Sequence, residues 1–244
     1  AIPLATAVTV ALAFSVSTGT AQTPDGKRPM TFLDQQNMRQ VGSPTPSPDK
    51  KWLLYTISVP DWQEAKRQTD IYVVSMDQGV PSTRQLTYTK DKSEAQPRWA
   101  PDGSFFLFSS NRDAPPPSAG SAPSEPQAGP FGGPTGGPGF QLYMMHPDGG
   151  EARKITDAKE GVTTFAFSKD GKWLVYRSGK AGEEQLYRMP VAGIDTATAE
   201  QITRHPTGVG IWRFAPTGNR IYFITADTID LDEKLRREKR FTVN

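Results

Sequence analysis

His146 and His205 are the only histidines of this chain, and histidine is the side chain that ordinarily titrates near neutral pH. They are therefore the first candidates for general acid–base chemistry. His146 follows a predicted strand and precedes a turn, and His205 stands directly before Pro206. No motif around either residue supplies the partner that would hold its ring in a working tautomer. We therefore predict that both are loop or surface residues.

Nucleophiles and metal ligands are equally scarce. The chain has no cysteine, which excludes a cysteine nucleophile, disulfides and thiolate zinc sites. A serine at a nucleophile elbow needs Gly-x-Ser-x-Gly, and no serine here has a glycine two positions before it. Asp227, Asp230 and Asp232 are spaced faintly like calcium ligands, but the glycine that such a loop requires is absent, so a solvated acidic turn is predicted. The sequence thus predicts no catalytic, cofactor-binding or metal-binding residue, and no cofactor.

The rest of the chain is organised around the stretch from Glu94 to Arg112, which has the pattern of two strands joined by a tight turn. Trp99 is followed by Ala-Pro-Asp-Gly and then by a run of aromatic and apolar residues. Asp-Gly between apolar runs is a strong hairpin signal, because glycine adopts positive φ without steric cost. The pattern occurs four times, as repeat folds require. The copies run over Pro46–Tyr55, Trp99–Phe108, Phe167–Tyr176 and Phe214–Phe223.

Two further strands are predicted after each of the first three hairpins, one around Leu/Ile-Tyr and one around Leu/Ile-Thr. In the first blade, the polar segment from Asp61 to Thr69 is predicted to be an excursion between the second and third strands. Four short antiparallel strands per repeat describe a β-propeller blade. The predicted fold is therefore all-β: an incomplete propeller of about three blades plus a hairpin, within residues 44–244. The predicted blades span about residues 44–90, 94–156, 161–204 and 207–244.

A low-complexity segment, residues 114–139, interrupts the second blade. It consists almost entirely of Pro, Gly, Ser and Ala, and cannot bury enough apolar surface to offset the entropy of ordering it. We interpret it as an insertion in a loop. A proline-rich ligand for a partner module is the alternative.

The N-terminal residues carry a targeting signal. An apolar run ends in the small-x-small site Gly19–Thr20–Ala21, which predicts a signal peptide over residues 1–21 and a secreted or periplasmic protein. A retained membrane anchor is the alternative, although the run is shorter than roughly 20 apolar residues and contains Pro3. No later segment is apolar enough to span a bilayer, so no membrane contact is expected after cleavage.

Residues 22–43 form a predicted lead-in with a short helix. Thr31 begins the helix, Asp34 stands in a capping-box-like position, and Gly42 and Pro44 end it. The formal net charge of the whole chain is +2, a balance that indicates no nucleic-acid partner.

Together these residues resemble the N-terminal propeller of the prolyl oligopeptidase family of serine peptidases, in particular its bacterial dipeptidyl- and acylaminoacyl-peptidase-like members. The resemblance covers roughly residue 30 to the end, and rests on the order and number of motifs rather than on any one of them. Besides the hairpin repeat, the motifs are Asp70–Ile71–Tyr72, Arg84–Gln85–Leu86–Thr87, Ser109–Ser110–Asn111–Arg112, the run Gly149 to Thr156, and Arg240 to Asn244.

The resemblance implies a two-domain enzyme. In this family a propeller caps a C-terminal α/β-hydrolase domain that carries the catalytic Ser, Asp and His, and it filters peptide substrates. That domain is missing from this chain, which stops inside the fourth blade, so no catalytic residue of the family can be carried over. We expect the chain itself to be inactive and its full-length parent to be a serine peptidase that cleaves short peptides.

Glu183 and Glu184 lie between the second and third strands of the third blade. The family's dipeptidyl peptidases use paired glutamates on the propeller to hold the free amino terminus of the substrate. Two carboxylates suit an ammonium group, which carries three donors. Because the local sequence does not match beyond the pair, we interpret these residues as a charged hairpin turn and assign no site to them.

A second function remains open. The propeller of the Tol-Pal system is a non-enzymatic periplasmic propeller that binds protein partners and uses a very similar Pro-Asp-Gly and Ile-Tyr repeat. It places a separate domain before its propeller and its blades are more uniform, whereas here the first blade begins soon after the predicted cleavage site. These differences favour the peptidase.

Overall fold

The computed structural model describes residues 28–63, 66–114, 139–218 and 220–226. The predicted signal peptide, nearly all of the low-complexity insertion and the aspartates at 227, 230 and 232 lie outside these residues. The chain divides into two units, residues 1–37 and residues 38–244. Among the described residues, no helix is both long and apolar enough to cross a membrane.

The first unit contains the predicted short helix, α1, over Phe32–Gln36. Thr31 is its N-cap and forms a capping box with Asp34, as the sequence predicts: the Asp34 amide donates to Thr31 Oγ1 over 3.2 Å, and the Thr31 amide donates to Asp34 Oδ2 over 2.8 Å. The helix ends at Gln36, well before Gly42 and Pro44, which were predicted to end it.

The second unit consists of antiparallel sheets, and each is called a blade here. Three blades have four strands in sequential order, and the fourth has two in the described part of the chain. The predicted all-β fold, an incomplete propeller of four-stranded antiparallel blades, is confirmed.

Blade one comprises β1 (Gln40–Pro46), β2 (Trp52–Asp61), β3 (Lys66–Ser75) and β4 (Gly79–Gln85); blade two comprises β5 (Glu94–Trp99), β6 (Phe106–Ser110), β7 (Gln141–His146) and β8 (Gly149–Lys154). Blade three comprises β9 (Val162–Phe167), β10 (Trp173–Ser178), β11 (Gln185–Pro190) and β12 (Glu200–Gln201); the terminal hairpin comprises β13 (Trp212–Phe214) and β14 (Ile221–Phe223).

Two details of blade one differ from the sequence-based expectation. Strand β1 begins at Gln40, inside the stretch predicted as lead-in, because the ladder with β2 continues past an irregularity between Gly42 and Thr45. The polar segment 61–69, predicted as an excursion, instead extends the β2–β3 hairpin, in which Asp61 pairs with Lys66. Polar residues can occupy these ladders because strand pairing uses backbone hydrogen bonds.

The four repeated turns share one geometry. In the second copy, the Ala100 amide donates to Phe105 O and the Gly103 amide to Ala100 O, each over 2.9 Å. The residue after the aspartate adopts positive φ: 75° at Gly103 and, in the first copy, 60° at Lys50. Lys50 shows that the turn fixes this backbone even where no glycine is present, at some steric cost.

The core lies between successive blades rather than within one. One apolar cluster joins blades one and two, a second joins blades two and three, and a third joins blade three to the terminal hairpin. Leu54, Ile71 and Phe106 represent the first cluster, Leu107 and Leu174 the second. Each blade is therefore stabilised by its neighbours, as propeller blades are.

Candidate functional site

The first strand of each blade is hydrogen-bonded to the first strand of the next, and we call these four strands the inner strands. Trp99 Nε1 on β5 donates to Thr45 O on β1 over 3.0 Å. Trp212 Nε1 on β13 donates to Thr164 Oγ1 on β9 over 2.9 Å. Strands β5 and β9 are linked through the Gln96 side chain and Thr163 O, at 3.4 Å. A ligand that lies across the inner strands would thus contact several blades at once.

His146 is an exposed residue at the end of β7, as predicted. Its Nδ1 lies 3.0 Å from Ser104 O in the neighbouring turn of the same blade. No carboxylate or hydroxyl group contacts the ring in the described part of the chain. His146 therefore links the turn after β7 to the turn that contains Ser104, and it has the surroundings of a surface residue.

His205 lies beside the loop that carries Glu183 and Glu184. The two loops are joined by Gln185, whose Nε2 donates to His205 O over 2.7 Å, and by the Val209 amide, which donates to Glu184 O over 2.6 Å. The His205 ring contacts hydroxyls rather than carboxylates: Nδ1 lies 3.0 Å from Thr207 Oγ1. The fold thus brings these candidates close together, although their side chains do not form an acid–base pair.

The Glu184 carboxylate stabilises its own turn. Its Oε2 accepts a hydrogen bond from the Gly182 amide over 2.8 Å, whereas the Glu183 side chain is exposed. The turn also packs tightly, since a Cβ at Gly208 would lie 2.8 Å from Glu184 N and Gly182 O. This geometry agrees with the charged hairpin turn, and it leaves Glu183 and one oxygen of Glu184 facing outwards.

A buried ionic cluster between blades one and two was missed by the sequence analysis. Glu94 begins β5 and is 0% exposed. Its Oε1 accepts hydrogen bonds from Arg112 Nη2 over 3.0 Å and from Ser110 Oγ over 3.2 Å. The Arg112 guanidinium also stacks over Phe108 and Tyr143, at 5.3 and 4.7 Å from the ring centroids. Arg112 thus compensates the charge of the buried Glu94, which the sequence pattern had not identified.

Asp70 on β3 faces this cluster from blade one. It is 7% exposed and accepts hydrogen bonds from Thr87 Oγ1 over 3.3 Å and from Gln68 Nε2 over 3.2 Å. Burial raises the pKa of both carboxyls, and Asp70 further raises that of Glu94, although Arg112 opposes the shift at Glu94. Glu94 Oε2 has no hydrogen-bond partner among the described residues. The raised pKa values favour the protonated, uncharged form of the two carboxyls.

A comparison of the blades shows the signal that could have identified Asp70. In blades two and three a glutamine occupies this position. Its side chain accepts a hydrogen bond from the hydroxyl of the threonine that ends the repeat, and donates one to a backbone carbonyl two residues after that threonine. In all three blades the same threonine hydroxyl accepts a hydrogen bond, over 2.8 to 2.9 Å, from the backbone amide of the residue that follows the aspartate or glutamine. The glutamines are Gln141 and Gln185, and the threonines are Thr87, Thr156 and Thr203. An acid in place of a neutral amide marks blade one as different.

Two arginines on the inner strands were also missed. Arg98 on β5 and Arg213 on β13 are both exposed and occupy equivalent positions of their hairpins, where Arg98 pairs with Leu107 and Arg213 with Tyr222. Arg98 has no hydrogen bond or ion pair in the described part of the chain, and Arg213 donates only to Trp212 O, over 3.0 Å. No group of three or more residues suited to hold a metal ion occurs among the described residues.

Comparisons with known proteins identify the relatives of this chain. No protein-family profile matches it. It is 27% identical to dipeptidyl-peptidase 5 of Porphyromonas endodontalis over 139 residues, which cover 57% of this chain and 16% of that protein. It is 28% identical to the uncharacterized peptidase YuxL of Bacillus subtilis over 148 residues, which cover 60% of this chain and 18% of that protein. This chain is related to one part of bacterial peptidases. The predicted relationship to peptidases is thereby confirmed, and the chain spans less than a fifth of these relatives.

Solved structures add the fold. The acylaminoacyl peptidase of Pyrococcus horikoshii matches with a TM-score of 0.50 and 13% identity, covering 77% of this chain and 28% of that one. The oligogalacturonate lyase of Vibrio parahaemolyticus matches with the same TM-score and 15% identity, covering 78% and 47%. Because a peptidase and a lyase match equally well, the architectural likeness identifies the fold and not the reaction.

Proposed function

We propose that this chain is the substrate-gating propeller of a secreted or periplasmic serine peptidase that cleaves short peptides. The similarity to dipeptidyl-peptidase 5 over 139 residues carries the proposal. The nucleophile, base and oxyanion hole would belong to an α/β-hydrolase domain of the full-length parent, since no Gly-x-Ser-x-Gly occurs in this sequence.

The arrangement of the blades supports a gating role. The inner strands are bound to one another through side chains, so the distances between them are held by hydrogen bonds such as Trp99–Thr45 and Trp212–Thr164. In the proposed role, such an array admits an extended peptide or a chain end and excludes a folded domain. Selection by size of this kind needs no catalytic group on the propeller.

The proposal is tested by labelling with a serine-directed fluorophosphonate and by peptide cleavage, on this chain and on the full-length parent. The parent should be labelled by the probe and should lose this labelling after heating. It should also cleave peptides of a few residues much faster than a folded protein that contains the same peptide sequence. This chain alone should neither label nor cleave. A parent without a reactive serine would contradict the peptidase function and favour a propeller that binds protein partners.

The location is tested separately. Intact mass of the protein recovered from the periplasm or medium should correspond to a chain that begins at Gln22. Recovery of the protein with residues 1–21 still attached, in the membrane fraction, would favour the anchor.

A further inference from the structure

Three Asp-Gly pairs lie in turns of the described residues: Asp102–Gly103, Asp148–Gly149 and Asp170–Gly171. In such a pair the aspartate side chain can react with the backbone nitrogen of the glycine, because glycine has no side chain that blocks the approach. The first and third pairs belong to the repeated hairpin turns, and the second forms the turn between β7 and β8. The three pairs therefore have the same chemistry and differ in their surroundings.

The carboxylates of the two repeated turns are held by hydrogen bonds. Asp102 Oδ1 accepts from the Ser104 amide over 3.1 Å and from Ser104 Oγ over 2.8 Å. Asp170 Oδ1 accepts from Ser168 Oγ over 2.6 Å and from a backbone amide over 3.2 Å. These bonds lower the pKa of both aspartates and so favour their ionised form. The side chain of Asp148 is exposed and has no hydrogen bond or ion pair within the described residues.

The glycines of the three pairs differ in the same direction. A Cβ at Gly103 would lie 3.6 Å from a proline of the preceding blade, and one at Gly171 would lie 3.2 Å from such a proline. A Cβ at Gly149 would meet nothing within 4 Å beyond the adjoining residues. Gly149 pairs with His146 at the end of the β7–β8 ladder, next to an irregularity. Opening this terminal pair frees the Gly149 amide at a lower free-energy cost than opening the middle of a sheet.

We propose that Asp148 is a site of spontaneous isomerisation to isoaspartate. The Gly149 nitrogen attacks Cγ of the protonated Asp148 side chain, a C–N bond forms, and the carboxyl hydroxyl leaves as water with the amide proton. Water then opens the resulting succinimide ring at either carbonyl. Cleavage of the bond to the original main-chain carbonyl gives isoaspartate, in which the backbone runs through Cγ and is one carbon longer. No atom is gained or lost overall.

Arg84 of blade one restrains this turn. Its Nη2 donates to Pro147 O over 3.2 Å and its Nη1 to Asp148 O over 3.3 Å. The guanidinium also lies over the Trp52 ring, 5.9 Å from its centroid. These bonds hold the backbone of the reacting residue in its present geometry, so they slow its reaction. An additional backbone carbon at residue 148 changes the geometry of both carbonyl groups, so isomerisation weakens this contact between blades one and two.

The experiment incubates this chain at near-neutral pH and quantifies isoaspartate by peptide mapping with endoproteinase Asp-N, which cleaves before aspartate but not before isoaspartate. A parallel incubation in urea continues until all three pairs contain isoaspartate. In the folded chain, Asp148 should isomerise about tenfold faster than Asp102 or Asp170, the scale set by the hydrogen bonds to a charged group that those two must first break.

Three variants examine the causes of this difference. Arg84→Gln should increase the rate at Asp148 alone, and Ser104→Ala, which removes the hydroxyl bond, should increase the rate at Asp102 alone. Asp148→Glu is the control for detection and should give no product at this position, because the longer side chain would have to form a six-membered ring.

Equal rates at the three pairs of the folded natural chain would refute the site, and so would product at Asp102 or Asp170 without product at Asp148. A tenfold difference that persists in urea would also overturn the inference, since neighbouring residues rather than the fold would then cause it. A variant that failed to fold would show the rates of the urea incubation at all three pairs, and the comparison within the natural chain would still decide.

Discussion

Blade two and the terminal hairpin begin with the same sequence pattern but end in different environments. Phe106, Leu107 and Phe108 of blade two are each 0% exposed. At the corresponding positions of the hairpin, Tyr222 is 61% and Phe223 42% exposed. Strand β6 lies between β5 and β7, whereas β14 has a single partner strand in the described part of the chain. The pattern therefore determines the hairpin, and the neighbouring strands and blades determine whether its aromatic residues become core.

The largest expected effect tests that contrast directly. Phe108→Ala should destabilise the chain by about 3–5 kcal/mol, because it removes a fully buried ring and leaves a cavity. Phe223→Ala, at the same repeat position, should cost less than about 1 kcal/mol, because much of the ring already contacts water. Urea unfolding followed by tryptophan fluorescence measures both.

Equal losses of unfolding free energy in Phe108→Ala and Phe223→Ala would contradict the comparison. They would mean that the hairpin is covered in solution by a surface that the described residues do not include, or that blade two is less tightly packed than it is here.

The buried pair between blades one and two provides the second test. Arg112→Met removes the partner of the fully buried Glu94 and should cost about 3 kcal/mol, since an unpaired buried charge remains. Arg188→Met is the matched control: Arg188 also stacks on an aromatic ring, Trp173, but its pair with Glu200 is exposed and should contribute at most about 1 kcal/mol. The same unfolding measurement applies. If Arg188→Met cost as much as Arg112→Met, burial would not be what gives the Glu94 pair its importance.

These contrasts show what the sequence could and could not predict. The hairpins, the strand order and the capping box at Thr31 depend on local chemistry, and they were predictable from residues close together in the chain. The cluster of Asp70, Glu94 and Arg112 joins residues of different blades, and no spacing in the sequence indicates that they meet. The polar β2–β3 extension was misread because a ladder needs backbone pairing rather than apolar residues.

The third test is the pH dependence of the contact between blades one and two. Because burial raises the pKa of Asp70 and Glu94 in the folded state, the folded chain binds more protons than the unfolded chain at pH values above the unfolded pKa of about 4. Their contribution to stability is fully present below that pH and is lost as the pH rises through the folded pKa. The loss should approach at most about 1.4 kcal/mol per pH unit for one proton.

Asp70→Asn isolates this effect, because it replaces one of the two titrating carboxyls by an amide that is uncharged at every pH. The variant should gain stability relative to the natural chain as the pH rises from 4 to 8. Asp102→Asn is the control with the opposite sign: hydrogen bonds from Ser104 lower the pKa of Asp102, so the natural chain should hold its advantage above the unfolded pKa and lose it as the pH falls. A flat difference between the natural chain and Asp70→Asn would show that burial does not raise the pKa of Asp70 in the folded chain.

The smallest expected effect concerns the insertion of blade two, residues 114–139. Its ends are already fixed beside each other: a Cβ at Gly139 would lie 3.0 Å from the Ala114 side chain, and Lys92 Nζ donates to Ala114 O over 2.9 Å. Replacing residues 115–138 by two glycines should therefore change Tm by no more than about 3 °C, since closure entropy varies only with the logarithm of loop length. A Gly/Ser segment of the original length serves as the control for composition. A decrease in Tm of 10 °C or more in both the short variant and the Gly/Ser variant would contradict this expectation. It would mean that the side chains of residues 115–138 pack on blade two, and that they contribute to the burial of Phe108 in the comparison with Phe223.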